Sequence, residues 1–343
     1  AQYTTYEQNP WSGALVLLGM LAGDFDNMCG PMLYGVFAVV IANLTAMFLN
    51  VNYDLMRHGL FGFNAFLVGL GVSIFLETGV LNRNWAPDYP VLFGTIVSAI
   101  LVIPVQLCLG KIISKVLDPN VPALTLPFNA MLIMFLFDSE RNFSIRTVNQ
   151  ALIKPSQISF YDVPANQTEF RGEQLVEGVF KGLGEIYISN SSVFSIFVIA
   201  SIFVYSRIGS ALAVYGSILG YVASAALGAS NFSTKIGLWG YNPALTAMAV
   251  GGVFAVPSMS SLVLCTVASF LTQVIWAANV QMFMPWGMPV CTIPFCLATL
   301  TFFAIRKDVS NRVSWVQLAH VTTPEEHLRK WGHGKKGIEG LCE

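Results

Sequence analysis

Charge is what this chain has least of. Asp, Glu, Lys and Arg make up 11% of its 343 residues and 55% are apolar, whereas soluble domains carry about 25% charged residues. With a mean hydropathy of +0.62, this composition excludes a soluble enzyme and identifies an integral membrane protein whose surroundings are the lipid bilayer. Neither sign of charge is in excess, since 18 basic and 19 acidic residues leave a net charge of −1. Without a basic surplus nothing grips phosphates, so nucleic acid is excluded as a partner. Histidine is scarce, and His58, His320, His327 and His333 all fall outside the apolar runs. The six cysteines, Cys29, Cys108, Cys265, Cys291, Cys296 and Cys342, mostly sit inside apolar runs, which reads as buried free thiols rather than a disulfide framework. Cys291 and Cys296 have no histidine nearby, so no metal site is expected, and no cofactor either. Neither G-x-S-x-G nor H-E-x-x-H occurs, which removes two signatures of an intramembrane enzyme.

Stretches without ionisable side chains locate the membrane segments, because a charge at mid-bilayer is costly and about 20 helical residues cross about 30 Å of hydrocarbon. The longest runs from Ile236 to Ile305, 70 residues without Asp, Glu, Lys, Arg or His. That is the length of three spans joined by short turns. Cutting all such runs at Gly, Pro and polar turn signals predicts ten apolar segments, near 11–26, 31–50, 59–76, 91–110, 123–137, 192–206, 208–228, 238–256, 259–280 and 290–305. They fall into two groups of five. Residues 138–185, with Arg141, Arg146, Lys154, Arg171, Lys181, Pro155 and Pro164, read as a loop between a first half at 1–137 and a second at 186–305, and 306–343 form a tail.

Five spans per half put both termini on one face and the central loop on the other. Arg57, His58, Lys111, Lys115, Arg207, Arg306, Lys307 and Arg312 all fall on the face of the termini, which the positive-inside rule makes cytoplasmic. The sequon Asn166-Gln167-Thr168 then lies outside, where it can accept a glycan. Thr323-Pro324-Glu325-Glu326 predicts a short cytoplasmic helix with Thr323 as its cap, read as a structural end piece.

Two blocks recur in the same order. Gly59-Leu60-Phe61-Gly62-Phe63-Asn64 matches Gly237-Leu238-Trp239-Gly240-Tyr241-Asn242, and Leu124-Thr125-Leu126-Pro127-Phe128-Asn129 matches Cys291-Thr292-Ile293-Pro294-Phe295-Cys296. An odd number of spans per half brings the second copy in from the opposite face, so the pattern predicts an inverted repeat with a pseudo-twofold axis in the membrane plane. A proline in the first turn of a helix leaves the residues before it with unpaired carbonyls at membrane depth, and such broken backbone is tolerated only where it lines a cavity. That cavity would have Thr125 and Thr292 facing one another midway, with carbonyl acceptors and no charge. A small, planar, neutral molecule rich in N–H donors matches it: its faces slide between apolar walls while its edges pair with acceptors.

The blocks GLFGFN (59–64), GLWGYN (237–242), LTLPFN (124–129) and CTIPFCLATL (291–300) resemble the urea transporters, over nearly the whole chain. The resemblance implies two inverted repeats of about five transmembrane helices each, broken or re-entrant helices lining a central pore, and a homotrimer in the plasma membrane passing urea down its gradient. It also implies mid-pore threonines at Thr125 and Thr292, slot walls around Phe63, Leu67, Tyr241 and Leu245, and a Gln or Glu at the outer end of each half's first helix: Glu185 in the second half and, in the first, Gln2 or Tyr3, since counting back from Asn9-Pro10 lands on Tyr3 and a one-residue insertion restores Gln2. Asn9-Pro10 of the first half is replaced by Ser191-Ser192 in the second, so the helix caps there are expected to differ.

Other channels fit less well. Asn242-Pro243-Ala244 spells the water-channel triplet, but its partner is Asn64-Ala65-Phe66 without the proline. An ammonia channel calls for mid-pore histidines. A carrier coupled to protons or sodium relies on ionisable or carbonyl sites inside the bundle, and spans two to five and seven to ten contain no carboxylate.

Overall fold

A computed structural model describes residues 9–51, 56, 59, 61–75, 89–117, 121–142, 172–229, 231–286, 288–318 and 321–331. Among these the regular structure is helical, apart from one isolated antiparallel bridge between Ala255 and Trp315. In the first half, α1 spans Pro10–Gly23, α2 Phe25–Phe48, α3 Gly62–Phe75, α4 Tyr89–Val116 and α5 Leu126–Asn142. Helix α6 is Gly172–Gly184, followed by a tight 3-10 turn at Glu185–Tyr187. The second half continues with α7 Ser192–Tyr205, α8 Arg207–Ala226, the short α9 Asn231–Lys235, α10 Tyr241–Met248, α11 Met259–Phe283 and α12 Ile293–Ala304. Helix α10 runs straight into a π-helical stretch at Ala249–Val253, and α13 closes the described chain at Pro324–Trp331.

The helix starts follow local chemistry. Asn9 accepts a hydrogen bond from the Trp11 backbone N–H at 3.0 Å, with Pro10 in the first turn of α1. In the second half the Ser191 hydroxyl does this job, accepting from Phe194 N–H at 3.3 Å and donating to the Gly23 carbonyl at 2.8 Å. The cap therefore differs in residue type, as the sequence suggests, and the serine also ties α7 to the end of α1.

Packing repeats between the halves. Helix α2 lies against α3 and α4 as α8 lies against α10 and α11; α5 packs on α3 and α4 as α12 packs on α10 and α11. Helices α1 and α7 pack on each other, and so do α5 and α12, joining the halves. Close approach depends on missing side chains: a methyl on Gly69 would stand 2.5 Å from the Tyr34 carbonyl oxygen, and one on Gly216 would run into the Pro243 carbonyl. Outward faces stay apolar, with Val36, Val40, Leu44 and Met47 of α2 and Val263, Val267, Phe270 and Val274 of α11 exposed. These stripes at helical spacing are the surface a multi-pass membrane protein presents to hydrocarbon.

Ten apolar segments are expected and ten helical segments occupy them, but they are not ten full spans. Among the described residues, α2, α4, α8 and α11 are long and apolar enough to cross a bilayer alone, and a fifth crossing arises if the pair Val176–Tyr187 and Ser192–Tyr205, bent by 73°, counts as one. Helices α1 and α3 have 14 residues each and α12 has 12; at 1.5 Å per residue that is roughly 18–21 Å, short of about 30 Å. A half-length helix buried in protein needs no charge either, so a charge-free run marks an apolar segment rather than a full crossing.

The reading of 138–185 as a loop is corrected at its two ends, where α5 runs on to Asn142 and α6 with the start of its 3-10 turn occupies 172–185, while 143–171 lie outside the described residues. Helix α6 carries Glu177 and Lys181, which hide it from a search for charge-free runs, yet the two pair with each other at 2.7 Å. On the opposite face Val179 and Leu183 are buried, and a methyl on Gly182 would come within 2.7 Å of the Gly240 Cα. The sequon at Asn166 lies outside the described residues. Among the described residues five cysteines are free: Cys265 and Cys296 are buried, Cys29 and Cys291 partly so, and Cys108 is exposed, against the expectation of burial.

Candidate functional site

The two recurring blocks converge on one point. Thr125, ahead of α5, and Thr292, the residue that caps α12, are 1% and 3% exposed, and their Oγ1 atoms stand 2.6 Å apart. The sequence expectation of two hydroxyls facing each other is met more tightly than a passage between them allows.

Local backbone makes this possible in the same way twice. The residues before the threonines, Leu124 and Cys291, are both left-handed, with φ of 52° and 48°, a conformation that is costly for non-glycine residues and persists where surrounding contacts hold it. Those contacts come from the asparagines of the other block. Asn64 Nδ2 donates to the Leu124 carbonyl at 3.3 Å and its Oδ1 accepts from Phe128 N–H at 3.3 Å. Asn242 Nδ2 donates to the Cys291 carbonyl at 3.1 Å and its Oδ1 accepts from Phe295 N–H at 3.2 Å. Each asparagine thus supplies a partner for an early helix N–H that has no carbonyl within its own helix, and fixes the kink that aims the threonine.

Across the halves, Asn129 of α5 binds Thr292. Its Nδ2 donates to Thr292 Oγ1 at 3.0 Å and to the Thr125 carbonyl at 2.8 Å, while its Oδ1 accepts from Thr292 N–H at 3.1 Å. The matching position on α12 is Cys296, whose Sγ lies 3.1 Å from Thr125 Oγ1. Around this cluster, Phe63, Leu67, Tyr241 and Leu245 are all buried. Tyr241 is more than a wall residue, because its hydroxyl donates to the Cys291 carbonyl at 2.6 Å.

A family model described as urea transporter matches residues 5–307. The chain belongs to the urea transporter family. It is 29% identical over 324 residues to urea transporter 1 of Ovis aries, covering 94% of this chain and 79% of that protein. Urea transporter 1 of Rattus norvegicus is 27% identical over 338 residues, covering 97% and 82%, and that of Mus musculus 28% over 335, covering 96% and 81%. The members of this family are transporters, not enzymes.

In this urea transporter chain Glu185 is in the 3-10 turn at the bend between α6 and α7, and that turn packs against α10, the helix of Tyr241. Gln2 lies outside the described residues. Sequence reasoning missed Asn64, Asn129, Asn242 and Cys296 as parts of the site. The signal was present, since both asparagine-bearing blocks recur and the fourth residue after each threonine is polar or polarisable, but hydrogen-bond partners about 50–60 residues away or further are not visible in a linear pattern.

Proposed function

We propose that the chain is a passive urea channel of the plasma membrane, conducting urea down its gradient without ion coupling. The observation that carries this reading is the contact of Thr125 with Thr292 at 2.6 Å, where the broken starts of α5 and α12 bring hydroxyl and carbonyl oxygens together in uncharged, apolar surroundings. A solute leaving water there loses hydrogen bonds worth roughly 2–7 kcal/mol per unpaired group, and fixed oxygens restore them for N–H donors but offer no counter-charge to an ion. Phe63, Leu67, Tyr241 and Leu245 are the slot walls that keep the molecule flat against these acceptors, and Glu185 with Gln2 are the polar groups at the outer ends of the two halves.

In this reading the halves are inverted repeats of about five membrane segments, with a central pore where they meet. The matched left-handed residues, the matched asparagine bonds and the repeated helix packing support it. Termini are cytoplasmic, Asn166 is extracellular and available for glycosylation, and three copies assemble, each with its own pore.

Stopped-flow light scattering on proteoliposomes holding the full chain tests the assignment. Thr125→Val and Thr292→Val keep shape and delete one hydroxyl each. Unchanged urea flux in both variants would sink the proposal, as would ion currents that track urea.

A further inference from the structure

The two threonines are matched in sequence but not in hydrogen-bonding capacity. We infer that solute contact at this level is one-sided: Thr125 Oγ1 and the Leu124 carbonyl of the first half receive the N–H groups, while Thr292 and the Cys291 carbonyl are scaffold, held by Asn129, Tyr241 and Asn242. This rests on the urea-channel reading and names which half of the site does the binding.

The argument is an inventory of donors and lone pairs. Thr292 N–H needs an acceptor and finds Asn129 Oδ1 at 3.1 Å, which fixes the amide's orientation and turns Nδ2 toward Thr292 Oγ1. Thr292 Oγ1 then accepts from Asn129 and shares a proton with Thr125 Oγ1. If Thr292 gives that proton, each threonine keeps one lone pair and Thr125 alone keeps a proton to turn toward a solute. If Thr125 gives it, Thr292 uses both its lone pairs and turns its proton to Asn129 Oδ1 at 3.4 Å, while Thr125 keeps both lone pairs. In both arrangements the only other partner of Thr125 Oγ1 among the described residues is the Cys296 thiol at 3.1 Å, a weak hydrogen-bonding group that a solute displaces readily.

The carbonyls repeat this inequality. Cys291 O accepts from the Tyr241 hydroxyl at 2.6 Å and from Asn242 Nδ2 at 3.1 Å, which uses both lone pairs. Among the described residues Leu124 O accepts from Asn64 Nδ2 alone, at 3.3 Å. The residue matching Tyr241 is Phe63, which has no hydroxyl to give. Two substitutions between otherwise matched halves, Asn129 against Cys296 and Phe63 against Tyr241, therefore leave the open acceptors side by side on the first half. Asn129 is a positioning residue acting through Thr292.

Urea flux per assembled protein is the test. Thr125→Val is expected to lose about tenfold or more, as removal of a direct polar contact does. Thr292→Val and Asn129→Cys are each expected to lose several-fold less than Thr125→Val, and their combination no more than either alone. Gly110→Ala, on α4 where a side chain meets nothing within 4 Å, retains flux and serves as the folded control. Moving the amide across, with Asn129→Cys and Cys296→Asn together, is expected to reverse the ranking so that Thr292→Val becomes the more damaging change, which a merely structural role for Asn129 does not produce. Equal losses for Thr125→Val and Thr292→Val, additive losses for Asn129→Cys with Thr292→Val, or an unreversed ranking in the swapped chain overturn the inference while leaving the channel reading intact. No loss in either valine variant overturns both.

Discussion

Asn64 and Asn242, 178 positions apart in the chain, make the same pair of bonds: each gives its amide N–H to the carbonyl of a left-handed residue and takes the backbone N–H of a phenylalanine in the first turn of the following half-helix. Both are fully buried. Replacing either by Leu leaves Phe128 or Phe295 N–H without its partner, at roughly 1–3 kcal/mol each. Thermal unfolding in detergent is expected to show both variants less stable. An unchanged midpoint in both would mean that the kinks hold themselves.

Helix contact through glycine gives a sharper contrast. A side chain on Gly216 meets the Pro243 carbonyl and Ala247, whereas one on Gly110 of α4 meets nothing within 4 Å. Gly216→Ala is expected to destabilise by about 1–3 kcal/mol as overpacking does, and Gly110→Ala to be neutral or slightly stabilising by roughly 0.5–1 kcal/mol, since glycine is a poor helix former. Paired melting curves decide it; equal shifts would refute the close approach of α8 and α10.

The tail helix is stitched to the bundle by Glu325. Its carboxylate accepts from the Ser206 hydroxyl and from Ile208 N–H, both at 2.8 Å, so it satisfies the start of α8 from outside. Glu325→Ala is expected to cost about 1–2 kcal/mol and to raise protease cleavage near α13. Cleavage at the original rate would show that the helix is held by other contacts.

His327, on the same helix, makes that docking pH-dependent. The ring is buried; Nε2 accepts from Thr322 N–H and Nδ1 faces the Gly252 carbonyl, each at 3.0 Å, which suits the neutral ring with its proton on Nδ1. Burial lowers its pKa, opposed by the Gly252 carbonyl and by Glu326 and Glu325, while Lys330 adds to the lowering. A ring that resists protonation when docked but accepts a proton at about 6.5 when released contributes docking that is complete above that value and lost as pH falls below it. Hydrogen exchange over residues 322–331 is expected to be slow at pH 8 and faster at pH 5, with the difference abolished in His327→Gln. Equal protection at the two pH values would contradict the assignment.

Much of this molecule is legible without coordinates. The expected segment 192–206 is α7 at Ser192–Tyr205, and 259–280 lies within α11 at Met259–Phe283, because apolar length and Gly, Pro and Ser punctuation are local properties. Thr323 caps the tail helix as its spacing predicts, accepting from Glu326 N–H at 3.3 Å. Recurrence of the two blocks was equally plain, since a duplicated pattern survives in the order of residues. Helix α6 was not legible, because its charged face is neutralised by an internal pair and its apolar face is paired only in space.

The order of residues by itself determined that this chain lives in a membrane, is helical, carries two matched halves and breaks its helices at Thr125 and Thr292. Each of these follows from hydropathy, proline placement or repetition, which act over a few turns of chain. Tertiary structure alone decided that the two hydroxyls touch, that Asn129 serves the threonine of the other half, and that the Tyr241 hydroxyl binds the Cys291 carbonyl, a bond for which Phe63 at the matching position has no hydroxyl. Those are differences in hydrogen-bond capacity between residues about 50–170 positions apart, and only folding brings their lone pairs and protons within 3 Å of one another.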